Sequence, residues 1–165
     1  QRQGWEDYAQ QVTLTNPLGD QRNVSGLNQY IRSNLSRRQP SLPFVDDAPV
    51  IFDLGTFVAI QVAPSAGGGN FLVTYDDTEG WVSTDDSALL LYTSAPFNPT
   101  INYFSGPYRF AGAIEGDSVT PPTSPATISS PFSLSQGNKL GFYARLTQAD
   151  GRMSSKQSGI VTIGA

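Results

Sequence analysis

The chain contains no cysteine and no histidine. Without thiols it can form neither a disulfide framework nor a thiolate metal site, so stability has to come from buried apolar area and subunit contacts. Without imidazole it lacks the commonest general base, the commonest zinc ligand and every Ser-His or Cys-His nucleophile scheme. Charge is also scarce: Asp, Glu, Lys and Arg make up 15% of 165 residues and are outnumbered by glycine (16) and proline (12) taken together. No apolar run approaches the roughly 20 residues that span a bilayer, and no charged segment followed by an apolar stretch marks a signal peptide. The chain starts at Gln1 rather than Met, within what reads as the first turn of a helix, and that start is taken as artificial.

What is present points to a mainly β protein. Low charge with abundant turn formers fits many short strands joined by turns, and two Trp, seven Tyr and nine Phe supply enough apolar area to exclude disorder. The amino-terminal part is different. Trp5, Tyr8, Ala9 and Val12 fall at i, i+3, i+4 and i+7, one stripe of an amphipathic helix. Asn16-Pro17-Leu18-Gly19 should end it in a turn, because proline fixes φ and glycine accepts a positive one. Ser25 is a plausible N-cap for a second helix carrying Leu27, Tyr30, Ile31, Asn34 and Leu35 along one face, closing near the cations Arg37 and Arg38.

Pro40, Pro43 and Pro49 then forbid a helix and predict an extended, semi-rigid connector, with one or two strands over 50–62 and a flexible turn over 64–70. Phe71, Val73 and Tyr75 alternate with Leu72 and Thr74; residues 88–93 form a short apolar run suited to burial on both faces, and 108–114 is another strand candidate. Four prolines within 117–131 predict a crossing loop with at most one edge strand. Leu140, Phe142, Ala144 and Leu146 give an inward face to a strand that turns at 149–152 and returns over 159–163. The expected organisation is a helical segment over 1–38, a connector with the first strand or strands over 39–64, and an antiparallel β-sandwich over 65–165.

Two resemblances follow from these patterns. Residues 70–163 resemble a fibronectin type III-like or immunoglobulin-like β-sandwich in strand number and turn spacing, with Leu134 and Gly137 placed as the residues before its sixth strand. Leu140 stands where that family usually carries a corner tyrosine, so the corner hydrogen bond is absent. The series Arg2-x-x-Trp5, Thr15-Asn-Pro-Leu-Gly19, Ser25-Gly26 through Asn34, and Asp46-Asp-Ala-Pro49 resembles proteins encoded among bacteriophage and prophage structural genes. That likeness implies a virion or appendage component, and the missing imidazole and thiol point away from an enzyme.

Candidate sites are few. Asp76, Asp77, Glu79, Asp85 and Asp86 flank Trp81 and could offer carboxylates to Ca²⁺, although Asp and Gly are equally favoured in such turns for backbone reasons. Trp81, Tyr103, Phe104 and Tyr108 could form a glycan-stacking face, the alternative reading being a carbohydrate-binding or adhesin module. A small hydrolase would need Glu79 or Glu115 to face an aspartate across a cleft. Gly67-Gly68-Gly69 lacks the lysine of a phosphate loop, and a sequence pI near 4.6 argues against nucleic acid.

Charge is segregated along the chain. Residues 1–38 carry +2, residues 39–108 carry −8 with no base, and residues 109–165 carry +2, giving the net −4. If these segments occupy different faces, copies attract one another in a preferred orientation; a fold that interleaves them removes the bias. The expectation is therefore a self-associating protein of a virion or extracellular assembly, with Trp5, Tyr8, Tyr30 and Ile31 packing on a neighbouring subunit because two short helices bury little alone.

Overall fold

A computed structural model describes residues 1–16 and 18–165. Helix α1 (Arg2–Gln11) is followed by a two-residue hairpin, β1 (Leu14–Thr15) and β2 (Gln21–Arg22), and by helix α2 (Gly26–Arg38). The turn expected after α1 is closed by the Gly19 amide donating to the Asn16 carbonyl; its Pro17 lies outside the described residues. Seven further strands follow: β3 (Gln61–Ser65), β4 (Asn70–Thr74), β5 (Ala88–Thr93), β6 (Arg109–Glu115), β7 (Ala126–Ser129), β8 (Lys139–Thr147) and β9 (Gln157–Thr162).

These seven form two antiparallel sheets, one in the order β3-β4-β7 and the other β6-β5-β8-β9. Their facing sides share one core. Val62, Phe71, Val73 and Ile128 from the first sheet meet Leu89, Leu91, Ile114, Leu140, Phe142, Ala144 and Leu146 from the second. The period-two pattern of β4 and β8 puts these residues inward, as the alternation predicts. β5 is buried along its whole length because its other face, Ala88, Leu90 and Tyr92, is covered as well. That outer face packs with Phe110, Ala113 and Tyr143 and is capped by Leu42, and the Tyr92 hydroxyl donates to Gln39 Oε1 at 2.6 Å.

Helix α1 forms as its spacing predicts, and its aromatic stripe is buried within the chain in a small core with Tyr30, Ala48 and Leu54. Its polar tips fasten the connector: Trp5 Nε1 donates to the Asp46 carbonyl at 2.9 Å and the Tyr8 hydroxyl to the Asp53 carbonyl at 2.8 Å. The helices cross closely at Gly26, where a Cβ would lie 2.5 Å from the Glu6 backbone nitrogen. Only glycine permits that approach, and the Glu6 carboxylate uses it to accept from the Gly26 amide.

Two boundaries differ from expectation. Residues 50–60 form no strand, because side chains rather than a neighbouring strand take up their backbone groups: Glu79 accepts from the Val58 amide, and Gln157 bonds the Phe57 carbonyl and the Ile60 amide. Pro64 belongs to β3, paired with Phe71, rather than to a turn; β3 is an edge strand, where a missing N–H is tolerated. The sandwich therefore begins at Gln61, not at 65. The outer side of β3 is itself occupied, since Gly164 donates to the Pro64 carbonyl and accepts from the Ala66 amide. The single edge strand foreseen in 117–131 is β7.

Arg37 joins the helical part to the sandwich. It is fully buried, with Nε donating to the Pro43 carbonyl at 2.9 Å and Nη1 to the Gln148 carbonyl at 2.6 Å. Its neighbour Arg38 is exposed. Arg37→Ala should lower unfolding free energy by about 3 kcal/mol, combining a cavity with two orphaned carbonyls, while Arg38→Ala should change it by less than about 0.5 kcal/mol. Urea denaturation of the two variants measures the difference.

Candidate functional site

Helix α2 is capped as expected, Ser25 Oγ accepting from the Asn28 amide at 3.3 Å. Its orientation is the surprise. Gln29, Ser33 and Arg37, at i, i+4 and i+8, face the body and are fully buried, together with Asn34. Leu27, Ile31 and Leu35, at the same spacing, face out and are 65%, 47% and 63% exposed. The usual amphipathic arrangement is reversed.

The reversal has a local cause. Asn34 Oδ1 accepts from the Val45 amide at 2.7 Å and its Nδ2 donates to the Val45 carbonyl at 3.0 Å, so the side chain stands in for a strand partner to the proline-rich connector. Together with Arg37 on Pro43, this turns α2 so that Asn34 and Arg37 meet backbone groups no apolar side chain could satisfy, carrying Gln29 and Ser33 inward with them without partners of their own. The leucines and isoleucine are left outside.

Over the eight residues from Leu27 to Leu35 the apolar line runs about 12 Å. At its amino-terminal end it borders a groove of about 420 Å³ lined by Trp5, Leu27, Tyr30, Arg2 and Asp46. The result is a linear hydrophobic surface leading into an apolar notch, the arrangement a partner's side chains can fill.

This surface corrects the interface residues expected from the sequence. Trp5 and Tyr8 are buried within the chain, in edge-to-face contact with centroids 6.0 Å apart, and are not free for a neighbour; Tyr30 is half-buried against Trp5 at 5.5 Å. Ile31 is exposed, and Leu27 and Leu35 join it where Tyr30 and Asn34 turn inward. The four-residue spacing of Gln29, Ser33 and Arg37 was as regular as that of the apolar residues and was the signal that could have oriented the helix.

The acidic residues are held apart by separate duties. Asp76 accepts from the Thr78 amide and hydroxyl, Glu79 from the Val58 amide and the Trp81 indole, and Asp85 from the Ser118 amide and hydroxyl. Asp77 reaches the Ser124 amide, and Asp86 sits in a turn at φ 60°. Among the described residues no three acidic side chains converge as metal ligands. Hydrogen bonds from Thr78 hold the Asp76 carboxyl below its ordinary range.

The four aromatics considered as a glycan face do not share one. Trp81 is a core residue against Tyr75, because its indole N–H is satisfied from the buried side by Glu79. Phe104 stacks on Phe97 at 4.9 Å and Tyr108 lies edge-on to Phe104 and Tyr143, a half-buried ladder of rings packed on one another. Tyr103 alone projects, 81% exposed. A cleft of about 500 Å³ brings Glu79 near Asp150 and Arg152, but Glu79 is committed to Val58 and Trp81, and Asp150 is paired to Arg152 Nε at 2.7 Å. Glu115 does not line it.

The chain matches no family model, no curated protein and no solved structure. Its surface and geometry therefore carry the functional reading. Among the described residues no helix is long and apolar enough to cross a membrane.

Two phenols report how tightly the helices are seated. Burial pushes Tyr8 and Tyr92 up to about 12 from the usual 10.0. The folded chain thus keeps two protons that the unfolded chain releases, so the stability they contribute is complete below pH 10 and is lost as pH rises toward 12. Spectrophotometric titration should show phenolate from these two only near pH 12, and Tyr8→Phe and Tyr92→Phe should each remove one late-titrating group.

Proposed function

We propose that this chain is a structural protein that acts by associating with further copies of itself and with other components of a virion-like or extracellular assembly, through surface complementarity and not through chemistry. The observation that carries the reading is the outward apolar line Leu27, Ile31, Leu35 beside the Trp5–Tyr30 groove. A chain that buries glutamine, serine and arginine on one side of a helix and exposes three branched aliphatics on the other has a surface whose desolvation is still to come. Covering it in a symmetric or head-to-tail contact supplies that desolvation.

The phage-like setting rests on the likeness in Arg2-x-x-Trp5 and the segments that follow it. The three-plus-four strand order supports the fibronectin type III-like reading of the sandwich. The carbohydrate-binding alternative retains Tyr103 as its one fully projecting ring, Phe104 and Tyr108 being half-buried against their neighbours. The hydrolase alternative is weaker still, its carboxylates being tied to backbone and arginine.

The test is light scattering across a concentration series on the full chain and on Leu27→Gln/Ile31→Gln/Leu35→Gln. Glutamine is a good helix former, so the monomer should keep its fold while association weakens by at least tenfold. A wild-type chain that stays monomeric at high micromolar concentration, or a triple variant that assembles equally well, would sink the reading.

A further inference from the structure

A second concave surface carries a different chemistry. Arg22 from β2, Arg32 from α2, Arg145 from β8 and Lys156 just ahead of β9 line one cleft of about 380 Å³, with Leu54 and Ser155 between them and no aspartate or glutamate in its wall. Four of the ten cations of an acidic chain thus converge from three separate elements and the loop before β9. None is ion-paired among the described residues, where both salt bridges belong to Arg152.

The cleft is short of partners as well as of countercharge. Arg32 Nη1 and Arg145 Nε are buried and meet no acceptor. Arg145 places its Nη1 against the Met153 sulfur and its guanidinium 6.0 Å from the Tyr143 ring centre, contacts that hold its position without neutralising it. Burial, and then the field of Arg145, pull Arg32 down to about 10 from 12.5. Like charges gathered in a concavity with low-dielectric walls repel one another and focus a positive potential outward. Guanidinium N–H groups in fixed positions match the oxygens of phosphate and carboxylate.

We propose that this cleft is a binding site for a small, multiply charged oxyanion, one bearing phosphate groups or several carboxylates. Arg32 and Arg145 form its floor, each anchored by a buried nitrogen and offering the ligand oxygens the part of its guanidinium that lines the cleft. Arg22 and Lys156 are the exposed rim that closes over it, and the Ser155 hydroxyl supplies a neutral donor. The site is independent of the α2 stripe, so it stands whether or not the chain self-associates.

The experiment is thermal unfolding of the full chain at neutral pH with inorganic pyrophosphate, citrate or sodium chloride at matched ionic strength, followed by calorimetric titration of whichever anion stabilises. Pyrophosphate or citrate in large excess should raise the midpoint by about 4 °C or more, with chloride doing markedly less. Stabilisation by pyrophosphate alone assigns phosphate chemistry, and by citrate alone a polycarboxylate; both support the site. Arg22→Gln/Lys156→Gln alters only exposed side chains that make no hydrogen bond, so the fold is kept, and it should weaken binding at least tenfold while raising the midpoint of the ligand-free protein by relieving repulsion. Equal shifts from all three salts, no shift from either oxyanion, or undiminished affinity in the double variant would overturn the proposal.

Discussion

The guanidinium of Arg37 is the interaction on which the helical part depends. It reaches from α2 to the connector at Pro43 and to the β8–β9 hairpin at Gln148, positions 6 and 111 residues away. No acid pairs with it among the described residues; its acceptors are neutral carbonyls and the Thr147 hydroxyl at 3.4 Å. Burial lowers its proton affinity, and the more distant Asp86 and Asp150 oppose that effect. A buried cation held by carbonyls is stable only if all acceptors arrive together, so the connector, helix and hairpin are fixed as one unit. Arg152 reinforces the same junction through Asp53 at 2.6 Å, Asp150 and Gln148 Oε1.

That requirement explains the exterior. Because α2 must offer polar groups to the backbone of a proline-rich connector, it cannot also offer its leucines, and these face solvent. The same packing brings the first and last segments of the chain, each of net +2, onto one cleft, while the acidic middle segment caps loops at Asp76, Glu79 and Asp85. Folding thus leaves an exposed apolar line and a basic cleft, two surfaces of different chemistry.

Much of the fold was legible because its signals are local. Period two in β4 and β8, the doubly apolar run of β5, the stripe on α1 and the Ser25 cap each depend on residues close in sequence. What escaped depends on distant partners. The extended stretch over 50–60 has the composition of a strand, but Glu79 and Gln157 intercept its hydrogen bonds. Trp81 looked available between acidic residues until Glu79 and Tyr75 enclosed it. The cationic cleft was invisible for the same reason, since Arg22, Arg32, Arg145 and Lys156 form no run in the sequence.

The occupied outer side of β3 bears on how copies can meet. An open sheet edge lets chains polymerise by adding strand to strand, the route to fibrils. Here Pro64 withholds a donor and its carbonyl is already taken by Gly164, so that end of the strand is a poor template for growth. A strand arriving there would find one position with no N–H and a carbonyl already bonded, which disfavours an extensible backbone ladder at that end of β3.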